Sequence, residues 1–248
     1  MKKMYYAAAL LLPLTLQVQA QNVISENRSL DAKVEKLQID GVVDVQLKQG
    51  AVASLLVFGD KDALGKLSTE QTGQLLHIKT AKNFNNKNKL RAEITLPHLS
   101  SLVLNGVGRS EAQGFTGELL QLELKGAGTM QIQGSYKHVI STLSGVGSLN
   151  LNLSNNDNTE FKLSGTGSAL LRGKSKDFHA DLSGLGSLDA QHFEADSLTL
   201  RLKGMGSASA FAKKEVTLNL SGMGSATIYG NPPTRSTKKS GMGSVTWK

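Results

Sequence analysis

Eight times between Asn105 and Ser244 the chain writes glycine, any residue, glycine, and in six copies a serine follows: Ser148, Ser168, Ser187, Ser207, Ser225 and Ser244, with Arg109 and Thr129 in the first two. A serine behind a glycine turn is a place for a nucleophile. Acyl transfer, however, needs a base and an orienting acid in fixed reach of one distinguished serine. A ladder of six equivalent hydroxyls has no distinguished member, and their expected role is to satisfy backbone groups at each corner. Glycine pairs also open dinucleotide-binding loops, but no copy completes Gly-x-Gly-x-x-Gly, and no strand–helix–strand pattern surrounds them.

Metal and glycan chemistry fare no better. The five histidines, His77, His98, His138, His179 and His192, show no close spacing that would make a helical or hairpin metal site, and there is no cysteine. The regular aspartate column of calcium-binding secreted repeats is missing. Glycan-cleaving β-helices need clustered carboxylates on one outward face. The column five residues after each first glycine reads Glu111, Gln131, Asn150, Leu170, Asp189, Ser209, Thr227 and Thr246, and the column three before it mixes Glu123, Lys162, Asp181 and Arg201. Neither places two carboxylates in adjacent copies. The residues therefore predict no catalytic residue, no cofactor and no metal, with a carbohydrate-active enzyme, a glycan lyase or hydrolase, as the alternative to a binding or structural role.

The elements that carry these residues follow from the spacing. The glycine pairs are Gly106 and Gly108, Gly126 and Gly128, Gly145 and Gly147, Gly165 and Gly167, Gly184 and Gly186, Gly204 and Gly206, Gly222 and Gly224, and Gly241 and Gly243, at steps of 20, 19, 20, 19, 20, 18 and 19 residues. So regular a period is the mark of a solenoid. Two residues before each pair stand Leu104, Leu124, Leu143, Leu163, Leu182, Leu202 and Leu220, until Lys239 breaks the series, and the neighbouring position is mostly polar. After the glycines, Met130, Leu149 and Leu188 alternate with Gln131, Asn150 and Asp189 before Ile132, Leu151 and Ala190. Period-two alternation on both sides of the glycines predicts two short strands per repeat with a glycine corner between them. About twenty residues cannot bury an apolar face alone, whereas stacked coils can. At the strand spacing of about 4.8 Å, eight coils make a rod on the order of 40 Å long. Glycine fits such corners because it tolerates positive φ and lets coils approach closely.

Between the glycines lies a mostly apolar ladder: Val107, Ala127, Val146, Thr166, Leu185, Met205, Met223 and Met242. If strand parity runs through the corner, this ladder points outward as a stripe suited to self-association or an apolar partner. If the corner breaks parity, the same residues enter the core. The candidate interaction residues are accordingly Val107, Val146, Leu185, Met205, Met223 and Met242.

The ends bound the compartment. Lys2 and Lys3, the apolar run from Met4 to Leu16, and Val18-Gln19-Ala20 predict a secretory signal peptide over residues 1–20, cleaved after Ala20. The run is too short for a membrane span and no later stretch approaches one. Without cysteine there is neither a disulfide framework nor a lipid-carrying thiol. An exported bacterial protein, periplasmic or on the cell surface, is expected, with a homo-oligomer or an envelope glycan or protein as partner and no nucleic acid. Losing Lys2 and Lys3 lowers the formal charge from +8 to +6, which either attracts acidic envelope polymers or solvates the outward columns and guards strand edges. Residues 21–99 read as a less regular β region that caps or leads into the solenoid of residues 100–248. Strands are expected over Val34–Ile39, Val42–Leu47, Ala53–Phe58, Leu75–Lys79 and Leu90–Leu96, a helical turn over Asp62–Leu67, and a loop over Lys82–Lys89. Ile39-Asp40-Gly41 echoes the later leucine, polar, glycine step, so this region reads as a degenerate coil system.

The order Leu37-Gln38-Ile39-Asp40-Gly41-Val42-Val43-Asp44-Val45-Gln46-Leu47, then Leu56-Val57-Phe58-Gly59-Asp60, Gly73-Gln74-Leu75-Leu76-His77-Ile78 and Ile94-Thr95-Leu96-Pro97-His98-Leu99, followed by the Gly-x-Gly repeats, resembles the auto-transporter adhesin head GIN domain family across almost the whole mature chain. The resemblance implies an all-β fold, a single-stranded right-handed parallel β-helix, in an exported protein, and brings no catalytic residues with it.

Overall fold

The computed structural model describes residues 23–82, 84 and 90–248. The leader expected over residues 1–20 and most of the loop expected over Lys82–Lys89 lie outside the described residues. In chain order the first part forms β1 (Ile24–Arg28), β2 (Lys36–Asp40), β3 (Asp44–Gln49), β4 (Ser54–Gly59), the single turn α1 (Lys61–Gly65), β5 (Leu67–Thr72), β6 (Leu75–Thr80), β7 (Arg91–Leu96) and β8 (Ser101–Leu104). Six long strands follow: β9 (Val107–Leu124), β10 (Ala127–Leu143), β11 (Val146–Leu163), β12 (Thr166–Leu182), β13 (Leu185–Leu202) and β14 (Met205–Leu220). The chain finishes in β15 (Ser225–Tyr229), β16 (Thr234–Lys239) and β17 (Ser244–Trp247). The result is an all-β solenoid of about seven turns.

Each long strand lies parallel to the next, and the leucine column stacks in register: Leu104 on Leu124, Leu124 on Leu143, and so on to Leu220. All seven are buried. The core is a continuous stack of such columns, and its largest fully buried side chains are Phe115, Tyr136, Phe161, Phe178 and Phe193. Phe178 meets Phe193 edge-on with centroids 5.1 Å apart. Ser141 interrupts the apolar column four before the glycines; it is fully buried and donates to the Glu160 carbonyl at 3.1 Å.

The expected pair of short strands per repeat is instead one strand of 16 to 18 residues. The chain turns a second corner without leaving the hydrogen-bonded ladder. Register shifts mark that corner, between Gln133 and Gly134, between Leu153 and Asn156, and between Ala190 and Glu194. Since the glycine corners stack one on one, the difference between steps of 18, 19 and 20 residues is absorbed there by bulges.

The N-terminal region is part of the same stack, as the echo at Ile39-Asp40-Gly41 suggests. Leu37 pairs with Leu102, Ile39 with Leu104, Val42 with Val107 and Leu47 with Ala112. The opposite edges of β2 and β3 are taken by β6 and β7. The coil β2–β3 is therefore held between a coil made later in sequence, β6–β7, and the first regular coil. Antiparallel strands close the outer edge: β5 on β6, β4 on β7, and β1 on β4. Reversing direction at an end covers the unpaired backbone that a parallel stack would otherwise present. Strand β5, Leu-Ser-Thr-Glu-Gln-Thr, is an addition to the expected elements. Only Leu67 in it is buried, so it carries no alternation to read. The helical turn begins one residue before the expected span and ends at Gly65; the Asp60 side chain caps it by accepting from the Ala63 N–H at 2.7 Å.

Candidate functional site: the glycine corner and its surroundings

At the corner the first glycine's carbonyl accepts the N–H of the middle residue one coil on: Ala127 from Gly106, Val146 from Gly126, Thr166 from Gly145 and Leu185 from Gly165, all at 3.0 Å. That same carbonyl occupies the space a side chain would need. A Cβ on Gly126, Gly145, Gly165, Gly184, Gly204, Gly222 or Gly241 would lie 1.8–2.1 Å from the glycine oxygen one coil before. The second glycines repeat the pattern, with Gly128, Gly167 and Gly206 at 2.0–2.1 Å. Of the sixteen, only Gly108 and Gly147 have φ in the positive region, at 151° and 159° and so near its extended edge. Close approach of backbones, and not positive φ, is what demands glycine here.

This geometry decides where the middle residues go. Both flanking positions direct their missing side chains along the stack, and the residue between them leaves the surface. Val107, Val146, Leu185, Met205, Met223 and Met242 are 46–83 % exposed, and Ala127 and Thr166 are exposed with them. Of the two paths open to the sequence, the chain takes the outward one. Beside the ladder, Gly165, Gly184 and Gly204 floor a shallow depression of about 500 Å³ walled by Ser164, Ser183, Leu185, Met205 and Met223.

The serines behind the glycines do something other than expected. Ser168, Ser207, Ser225 and Ser244 are exposed. The contact recorded for this column among the described residues is hydroxyl to hydroxyl, Thr129 with Ser148 at 3.2 Å. The backbone groups at the corner already pair between coils, so the hydroxyls have nothing there to satisfy. The column of small polar groups leaves the apolar ladder standing proud.

One cluster of titratable groups went unseen in the sequence because its members are distant along the chain. Asp40 Oδ1 accepts from Asn105 Nδ2 at 2.5 Å, while its Oδ2 accepts from Gln38 Nε2 at 2.8 Å and lies against His77 Nε2. Burial pushes the Asp40 carboxyl up, but the hydrogen bonds from Asn105, His77 and Gln38 outweigh it and hold the group below its usual range. A nucleophile in this cluster would have to be Thr80, whose hydroxyl instead accepts the Val42 N–H at 3.1 Å. The cluster ties three stacked coils together at the first glycine corner. Because the folded Asp40 holds its proton less tightly than an unfolded aspartate, its contribution is fully present above about pH 4 and is lost as pH falls through the lowered folded value. Asp40→Asn is expected to flatten the fall in melting temperature between pH 5 and pH 2, followed by circular dichroism. An unchanged acid slope would mean the cluster contributes nothing to holding the cap.

The family described as "Putative auto-transporter adhesin, head GIN domain" matches residues 33–232. The chain belongs to that family. Among solved structures, a putative adhesin from Parabacteroides distasonis superposes with a TM-score of 0.83 at 18% identity, covering 92% of this chain and 98% of that one. A putative adhesin from Parabacteroides merdae gives 0.81 at 16% identity over 91% and 96%. A protein described as putative lipid binding, again from P. distasonis, gives 0.78 at 20% identity over 92% and 97%. At these identities the likeness shows the shared fold. No curated protein matches the chain. This GIN-domain solenoid has no described helix long and apolar enough to cross a membrane, and no group of three metal-ligating side chains among the described residues.

Proposed function

We propose that the chain is an exported, non-catalytic, adhesin-like β-solenoid of the bacterial envelope, periplasmic or displayed at the surface after cleavage behind Ala20, and that it binds or self-associates through the ladder Val107, Val146, Leu185, Met205, Met223 and Met242. The observation that carries this reading is the outward stacking of that ladder on the glycine corners, in register from Val107 through Ala127, Val146, Thr166 and Leu185 to Met205. Energetics fix the kind of binding. The five members from Val146 to Met242 are 48–83 % exposed, so completing their burial yields on the order of 5 kcal/mol, at the low end of what association costs. Such a strip suits weak contacts repeated many times, the regime of adhesion, more than one tight dimer. The adhesin descriptions of the family and of its solved relatives support the same class, and the lipid-binding description of one relative accords with an apolar strip.

The test is Leu185→Asp in the protein from Gln21 onward, measured by light scattering and by adsorption to an apolar surface. The side chain is exposed, so the fold is expected to hold within about 2 °C of melting temperature while self-association and adsorption fall. Unfolding of this variant, or a parent protein that neither associates nor adsorbs, overturns the reading.

A further inference from the structure

A second face, which adjoins the start of the ladder at Val107, carries its own pattern. Five and seven residues past each first glycine, side chains point outward from the same strand. In the first coils they are Glu111 and Gln113, Gln131 and Gln133, Asn150 and Asn152, and Leu170 and Arg172, stacked in register. The N-terminal coils extend both columns, with Gln46 beside Glu111 and Glu93, and Lys48 beside Gln113. These residues line two depressions, of about 290 Å³ and about 170 Å³, that share Glu111 and Gln113. Together they form one furrow over six rungs, roughly 24 Å along the stack, with Ile132 and Leu151 in its floor.

Chemistry narrows what the furrow holds. Its carboxamides, Gln46, Gln113, Gln131, Gln133, Asn150 and Asn152, each offer a donor and an acceptor. By contrast, Asn105 and Gln38 donate to Asp40, and Asn156 donates to the Lys174 carbonyl. Among the described residues these six form no side-chain ladder with one another, so they do not act as staples between coils. The acidic members are matched within the protein, Glu93 by Arg91 at 3.1 Å and Glu111 by Arg109 at 3.5 Å. The fourth and fifth rungs, from Gln131 to Asn152, are uncharged. A hydroxyl both donates and accepts, and a repeating array of carboxamides at fixed spacing is complementary to a repeating array of hydroxyls. Leu170 adds an apolar patch for the C–H face of a ring. Further along the same face Phe211 and Tyr229 are direct partners in β14 and β15, flat surfaces on which a sugar ring can stack.

We propose that this furrow binds an uncharged glycan chain laid along the solenoid axis, its hydroxyls read by the carboxamides of successive coils. The positive groups of the furrow, Lys48 and Arg172, stand on its second and sixth rungs, outside the two uncharged ones. The proposal rests on the reading of the chain as a non-catalytic binding protein but uses a different surface from the apolar ladder. Calorimetric titration of the purified protein with cellohexaose, mannohexaose, maltohexaose and N-acetylchitohexaose, with hexagalacturonate as the charged comparator, tests it. At least one neutral hexasaccharide is expected to bind, hexagalacturonate at least about tenfold more weakly. Gln131→Ala with Asn150→Ala is expected to weaken binding at least about tenfold with melting unchanged. The more exposed pair Gln133→Ala with Asn152→Ala serves if the first disturbs the fold. Leu185→Asp is expected to leave the titration unaltered. Binding of none of the neutral probes, equal binding by both carboxamide variants, or preference for hexagalacturonate overturns the proposal. Mass analysis of the sugar after titration separates the two readings: a shortened chain removes the non-catalytic reading, while the carboxamide variants still decide the site.

Discussion

Gly165→Ala lowers the stability of the solenoid by roughly 3–5 kcal/mol, the sum of an overpacked contact and the loss of one or two inter-coil hydrogen bonds. The new Cβ would sit 2.1 Å from the Gly145 oxygen and 2.7 Å from Ser144 backbone atoms, so no flexible side chain can give way. Relief requires the two coils to part, which stretches the bond from the Thr166 N–H to the Gly145 carbonyl. For a chain of this size the melting temperature is expected to fall by about 6–20 °C. Gly65→Ala, at the end of α1 with nothing within 4 Å, is the control and should leave melting unchanged or raise it slightly. Equal behaviour of the two variants would mean that the corners are not stacked as closely as described.

Phe178→Ala is the second large effect, expected to cost about 3–5 kcal/mol. Phe178 is fully buried and loses both its burial and its edge-on contact with Phe193. In a stack where each coil touches only its neighbours, such damage stays local. Hydrogen exchange should therefore rise in β11, β12 and β13 while β2 and β3 stay protected, and thermal unfolding should broaden. Phe178→Leu, which keeps most of the volume, should cost less than about 1.5 kcal/mol. Loss of protection spread evenly along the chain would instead show one cooperative unit.

How far the sequence could be read depends on whether a feature repeats. The leucine column from Leu104 to Leu220 and the glycine pairs recur at a nearly fixed step, and they led directly to stacked coils and to the corner. The direction of the Val107 to Met242 ladder stayed open, because it depends on where a missing Cβ would point, which glycine does not reveal. Strand β5 was illegible because its exposed edge needs no alternation. The meeting of Asp40 with His77 and Asn105 was hidden for a topological reason: the coil order places β2 between β6 and β8, and nothing local announces that. The furrow residues Gln131 and Asn150 form a legible column in the sequence, but one without a repeated charge or aromatic residue to mark it as a surface. Their role as a surface emerged once Gln46 and Gln113 were found stacked with them.

The interleaved N-terminal coils bear on the time course of folding. A chain that emerges N-terminus first delivers β2 and β3 long before either of their neighbours, since β6 and β7 end at Leu96 and the pairing part of β9 reaches Gln113. Until then Leu37, Ile39, Val45 and Leu47 have no core to enter. More than a third of the polypeptide must wait as an open segment, and closing it brings together residues far apart in sequence, the slow kind of step. Once closed, the coil of β8 and β9 presents a finished edge, and every later coil docks on the one made just before it. The molecule starts late and then lengthens by local additions, so a lesion before Gln113 should stop assembly outright, whereas one near Met242 should only shorten the finished rod.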